Sequence, residues 1–184
     1  MAQLLIIDVQ KTFKCSKDVV DPILKVLDNY SEVIYLYDVI SGDGESFDDM
    51  WEEFYEDEEV YSKFSRKLTK EYAFFRDLMD AGVDDEFIVE LVRLMMKHKI
   101  CDARDIAESE HAAEFEKLFA RNQFYLSFDN YGFHIPEDLV ESLRSYVRAG
   151  VTLVGGGLNE CLKEVELLLC ALDIKYSVLS SCTY

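Results

Sequence analysis

Short unbroken apolar runs alternate with runs of helical period along most of this 184-residue chain. "QLLIID" (3–8) is a buried strand by length and composition, closing on the carboxylate of Asp8. "SKDVVDPILKVLDNY" predicts a helix with Ser16 as N-cap and Val19, Val20, Ile23, Leu24 and Leu27 on one face. "EVIYLYD" is a second strand and again ends in an acid, Asp38. "NQFYLSF" (122–128), "VTLVG" (151–155) and "IKYSVLS" (174–180) read as the later strands. Between them lie two helices, "IPEDLVESLRSYVRAG", with Pro136 at its start and Gly150 at its end, and "NECLKEVELLLCALD". This alternation implies a parallel sheet covered on both faces, whose ligands bind beyond the carboxyl ends of the strands. Asp8, Asp38, Ser127 and the turn at Gly155–Gly157 all fall at such ends.

The middle of the chain departs from the pattern. Residues 39–121 contain no strand-like run and read as a helical insertion, a lid or an oligomer interface, within a single domain spanning 1–184. It opens with an acidic segment, 43–59, that holds ten carboxylates and no Lys or Arg. Helices are expected near 61–80, 84–98 and 103–120, with Ile88, Leu91, Leu94, Met95 and Met96 as core.

Charge narrows the partners. A formal net charge of −18 opposes unassisted binding to nucleic acid or to anionic membranes. It suits solubility, a basic partner, or mimicry of a polyanion. No apolar run approaches the roughly 20 residues of a membrane span, and "LLII" is too short for a signal peptide. Five cysteines, an odd number without a regular framework, are expected as free thiols in a cytoplasmic protein.

The candidate chemistry sits in "LVGGGLNECLKEV" (153–165). Three of the chain's eight glycines precede Cys161 here. The plain reading is a strand-to-helix turn that needs positive φ. The chemical reading is a thiol at a helix N-terminus, its pKa lowered by the dipole, beside turn amides that bind an oxyanion. Asp8, at a neighbouring strand end, is placed to take the thiol proton.

"LLIIDVQKTF" and "VTLVGGGLNECLKEVELLLCALDIKYSVLS" together resemble the isochorismatase-like cysteine hydrolases, a family that includes nicotinamidases. Asp8, Gln10 and Phe13 match an Asp-x-Gln-x-x-Phe opening. The interval from Gly155 to Cys161 matches the step from strand end to nucleophile, and the similarity covers residues 2–38 and 122–180. The resemblance implies a three-layer α/β sandwich and a Cys–Asp–Lys triad acting on small amides or vinyl ethers. Asp8 would be the base and Cys161 the nucleophile. Gly157, Leu158 and the Cys161 amide would form the oxyanion turn, often built around a cis peptide. Gln10, Phe13, Ser127, Phe133 and His134 would face a small-molecule substrate.

Several positions depart from that family. Leu158 and Asn159 stand where it carries a small residue and a polar one. Placing Phe133 at the family's Phe puts Ser127 at the lysine position, and no Lys or Arg occurs between Arg121 and Arg144. Lys63, Lys67 or Lys70 of the insertion would have to replace the lysine in space. "YDVISGDGESFDD" offers Asp38 and Asp43 but no histidine, so a zinc site is not expected there and an oxygen-rich Mg²⁺ or Ca²⁺ site is the alternative. His98 beside Cys101 and Asp102 reads as a helix C-terminal histidine rather than a ligand. The chain also ends at Tyr184, where the family continues with a helix. The leading expectation is a thiol-dependent hydrolase of a small amide, without metal or cofactor. The alternative is a non-catalytic protein of the same fold that binds a small ligand or a basic partner, with self-association left open.

Overall fold

Among the described residues, five parallel strands form a central sheet in the order β3-β2-β1-β4-β5. The computed structural model describes residues 2–9, 17–38, 63–70, 74–122 and 133–184. The expected N-cap Ser16, the acidic segment 43–59 and all but Asn122 of the expected strand 122–128 lie outside the described residues, as do Gln10, Phe13 and Ser127.

β1 (Gln3–Ile7) occupies the middle, with β2 (Glu32–Asp38) on one side and β4 (Val151–Gly155) on the other. β3 (Arg66–Lys70) lies beyond β2, and β5 (Tyr176–Val178) beyond β4. The unbroken apolar run of β1 has a direct cause. Leu4 and Ile6 pack on one face with Val20, Ile23 and Leu27 of helix α1 (Lys17–Leu27). Leu5 and Ile7 pack on the other face with the remaining helices. Alternate side chains thus enter two different cores, and neither face can be polar.

The second face carries α2 (Arg76–Asp80), α3 (Asp85–His98), α4 (Ala112–Arg121), α5 (Glu137–Tyr146) and α6 (Cys161–Ala171). Helices on both faces of a parallel sheet match the covered sheet that the alternation implied, and make a three-layer α/β arrangement. Asp84 caps α3, accepting from the N–H groups of Glu86 and Phe87. The expected helix at 103–120 divides into a 3₁₀ turn, Ala103–Ile106, and α4. Among the described residues no helix is long and apolar enough to cross a membrane.

One expectation fails. The segment 39–121 contributes β3, which pairs with β2 from Ile34↔Arg66 to Asp38↔Lys70. A helix over 61–80 is replaced by this strand and the short α2. The reason lies in "RKLTK", where Leu68 and Lys70 are the two buried positions. A strand at the described sheet's edge needs few apolar contacts, and a buried lysine mimics a solvent-facing residue in any hydropathy reading.

Candidate active site

The strand order reverses between β1 and β4, and in open α/β sheets the binding crevice lies outside the carboxyl ends at that point. Asp8 follows β1 directly, and its φ of 47° places a non-glycine residue in the left-handed region. Such residues concentrate where the surrounding structure fixes a side chain for function. Two further bonds hold the backbone there. The Asp8 N–H donates to Leu36 O at 2.9 Å, and the Tyr184 hydroxyl donates to Asp8 O at 2.9 Å.

The glycine turn begins where β4 ends. Gly155 has φ +75°, and a Cβ on it would lie 2.4 Å from Ile7 O and 2.6 Å from a Val9 methyl. Gly156 has φ +61°, with Leu162 N 3.0 Å from the same imagined atom. Both glycines are therefore required by conformation and by space, and the plain reading of the turn holds. It also places a thiol, because the turn sets Cys161 as the first residue of α6, 4% exposed and in reach of Asp8.

The cation comes from β3. Lys70 Nζ lies 2.8 Å from Asp8 Oδ2 and 4.0 Å from Asp38 Oδ2, and all three side chains are fully buried. Of the three lysines in 39–121 considered as substitutes, Lys70 is the one at the site. Lys63 instead pairs with Asp28 at 2.8 Å. Lys70, one of the three lysines named as possible replacements in space, thus stands beside Asp8, on a strand not expected in this segment.

Burial and mutual charge set the protonation states. Burial raises the Asp8 carboxyl above the ordinary range, offset in part by Lys70, so it is a stronger base than a solvated carboxylate. Burial alone would lower Lys70, but Asp8, Cys161 and Asp38 outweigh it and hold the ammonium charged. The thiol hydrogen-bonds Asp8. Burial and the Asp8 charge push it up to about 12, against the pull of Lys70 and Arg76. At rest Cys161 is a thiol.

A second cation stands beside the sulfur. Arg76 Nη2 lies 3.8 Å from Cys161 Sγ, with Nη1 3.5 Å from Glu160 and Nη2 3.8 Å from Glu164. Glu164 lies on α6 one turn beyond the cysteine, fully buried, and accepts from the Phe75 N–H at 2.6 Å. That bond ties the start of α2 to α6, which places Arg76 beside the sulfur.

The turn amides are not equally free. The Leu158 N–H donates to Tyr184 O at 3.0 Å, while Tyr184 N–H returns a bond to Gly156 O at 3.2 Å. Glu160 and Leu162 both donate to Gly157 O, at 2.9 and 3.2 Å. Among the described residues, the Cys161 N–H has no acceptor. The Leu158 N–H, expected at the oxyanion, is engaged by Tyr184 O in this structure, and Leu158 is 46% exposed. The described residues contain no cis peptide either, so the cis bond implied by the family resemblance is not present there.

The two remaining expected contacts separate. Phe133 is 1% exposed and belongs to the same apolar core as Leu5 and Ile7. His134 lines a cleft of about 360 Å³ together with Thr69, Lys70, Glu137 and Asp138. Arg76, Glu164 and Tyr184 were not singled out by sequence reasoning. Glu164 alone left a signal, being a carboxylate on the apolar face of "CLKEVELLL". Comparison with family models, with curated proteins and with solved structures finds no match to this chain.

Proposed function

We propose that this chain is an isochorismatase-like cysteine hydrolase that cleaves a small amide through a thioester at Cys161. The observation that carries the reading is the convergence of Asp8, Lys70 and Cys161 at the point where the strand order reverses. Asp8 takes the thiol proton as sulfur attacks the carbonyl carbon. Lys70 stays protonated, and Lys70 and Arg76 flank the developing charge. The free Cys161 N–H donates to the oxyanion. Collapse of the tetrahedral adduct breaks the C–N bond, and Asp8 returns its proton to the departing amine. Water, deprotonated by Asp8, then cleaves the thioester to the carboxylic acid and restores the thiol. A thiol held near 12 suits this sequence, because proton transfer and attack occur together and no resting thiolate is exposed to oxidation.

The test is a panel of small primary amides, assayed for ammonia release, with acidic quenching and mass analysis of the peptide containing Cys161. An acyl adduct on Cys161, absent in Cys161→Ala, supports hydrolysis. A panel that binds, by thermal shift, without turnover or adduct would favour the second reading, a binding protein of the same fold. That second reading has its own observation: the Leu158 amide, which an oxyanion would use, is occupied by Tyr184.

A further inference from the structure

Three ligand-type side chains meet away from the Asp8–Lys70–Cys161 group, where α3 ends and α4 begins. His98 is the last residue of α3, His111 precedes α4, and Glu114 lies in its first turn. One ligand atom from each lies within 4.8 Å of the others. His98 Nε2 is 3.1 Å from Glu114 Oε2, and the two imidazoles stack with centroids 3.7 Å apart. Outside this group of three, the exposed Glu110 has Oε1 3.6 Å from His111 Nε2. We propose that His98, His111 and Glu114 form a binding site for a borderline transition-metal dication of the zinc class, with Glu110 as the fourth ligand.

The donor set selects the ion. Two imidazoles with carboxylates suit Zn²⁺, Co²⁺ or Ni²⁺, whereas Mg²⁺ and Ca²⁺ take oxygen shells. Bonds of about 2.0–2.1 Å in a tetrahedron put neighbouring ligand atoms roughly 3.3 Å apart. The His98–Glu114 spacing of 3.1 Å already fits, and the half-exposed His111 ring needs only to rotate. The backbone that carries His98 is fixed. Lys99 caps α3 in the left-handed conformation, φ 55°, donating to Met95 O and Met96 O. The chain's −18 formal charge favours the approach of any dication.

The ordinary alternative is an ion pair. Lys97 Nζ lies 2.9 Å from the same Glu114 oxygen, on a side chain 61% exposed. A metal must displace it, and this competition separates the two readings. The site would clip the ends of α3 and α4 around the loop 99–111. That loop holds the opposite wall of the cleft, since Ile135 N–H donates to Cys101 O at 2.7 Å and Ala103 N–H to Phe133 O at 3.2 Å. The inference does not depend on hydrolysis at Cys161.

The test uses the full chain without an affinity tag, stripped with chelator. It is titrated with Zn²⁺ by calorimetry and with Co²⁺ by visible absorption. One equivalent should bind at micromolar concentration or tighter, raising Tm by roughly 5 °C at saturation. His111→Ala and Glu114→Gln, both at partly exposed positions, should each weaken binding by about tenfold or more with the far-UV spectrum unchanged. Lys97→Ala should bind at least as tightly as the parent. Affinity weaker than roughly 100 µM, or binding indifferent to both ligand substitutions, overturns the site. In the second case the metal sits elsewhere, on thiols or other carboxylates. Should one variant misfold, the other still decides.

Discussion

Replacing Asp8 with asparagine should stop hydrolysis and at the same time make Cys161 more reactive. In the proposed mechanism the carboxylate accepts the thiol proton, and at rest its charge is one of the two main causes that hold the thiol near 12. For unit charges about 4 Å apart at an effective dielectric of about 20, such a charge opposes ionisation by about 4 kcal/mol, or about three pKa units. Lys70 and Arg76 remain in the variant and favour the thiolate. Nucleophilicity falls with basicity along a Brønsted slope of about 0.4–0.5, so roughly half of the logarithmic gain survives. Alkylation by iodoacetamide at pH 7 should therefore accelerate by roughly 40-fold. The assay is a time course of carbamidomethylation at the peptide containing Cys161 between pH 6 and 9, with Cys161→Ser as the blank. Near-UV dichroism establishes that the packing is intact. An unchanged or slower rate in a folded Asp8→Asn protein would refute the reasoning, since the thiol would then be governed by burial alone.

Lys70→Met should cost about 3–5 kcal/mol in urea unfolding, because Asp8 and Asp38 are left buried without their cation. In the same variant alkylation of Cys161 should become slower still. Arg76→Gln should slow alkylation of the parent by less than about tenfold, its partly exposed guanidinium being screened by water. Gly155→Ala should destabilise by about 3 kcal/mol or prevent folding, as its Cβ would stand 2.4 Å from Ile7 O, a contact that expression level and urea midpoint both report. The pH profile of stability has a sign that can be fixed in advance. Burial raises Glu164, so the folded state holds its proton more tightly than the unfolded chain. Stability should fall as pH rises from the ordinary carboxylate range through that raised value, and Glu164→Gln should flatten the fall.

How far the chain could be read depends on where each residue's environment comes from. β1, β2 and β4 were legible because both faces of each are buried, which leaves apolar runs no loop would tolerate. The Gly155–Cys161 turn was legible because its constraint is local, two positive-φ positions feeding a helix start. β3 was not, since "RKLTK" owes its strand to the edge of β2 and its buried lysine to carboxylates more than thirty residues back. The alignment of Phe133 that emptied the lysine position was an inference by spacing, and spacing says nothing of which strand lies beside β2. Tyr184 illustrates the same limit, because its two bonds to the glycine turn and its hydroxyl bond to Asp8 O join residues from opposite ends of the chain.

The buried ammonium of Lys70 also constrains the order in which the molecule assembles. β1 and β2 are joined by the short α1 crossover and can pair early, yet doing so sets Asp8 and Asp38 beside each other in a closing interior. Neither β3 nor its lysine has reason to leave water before those carboxylates are in place, for its own strand preference is weak and an unpaired buried ammonium is costly. β3 should therefore dock late, onto a template already formed, and Leu68→Ala should speed unfolding while leaving the refolding rate nearly unchanged. Until that docking, the apolar edge of β2, with Ile34 and Leu36, is open to any other strand. The lysine that would serve the chemistry is thus also the latch that closes the sheet against self-association, and a chain that lost it would meet aggregation during folding before it met inactivity.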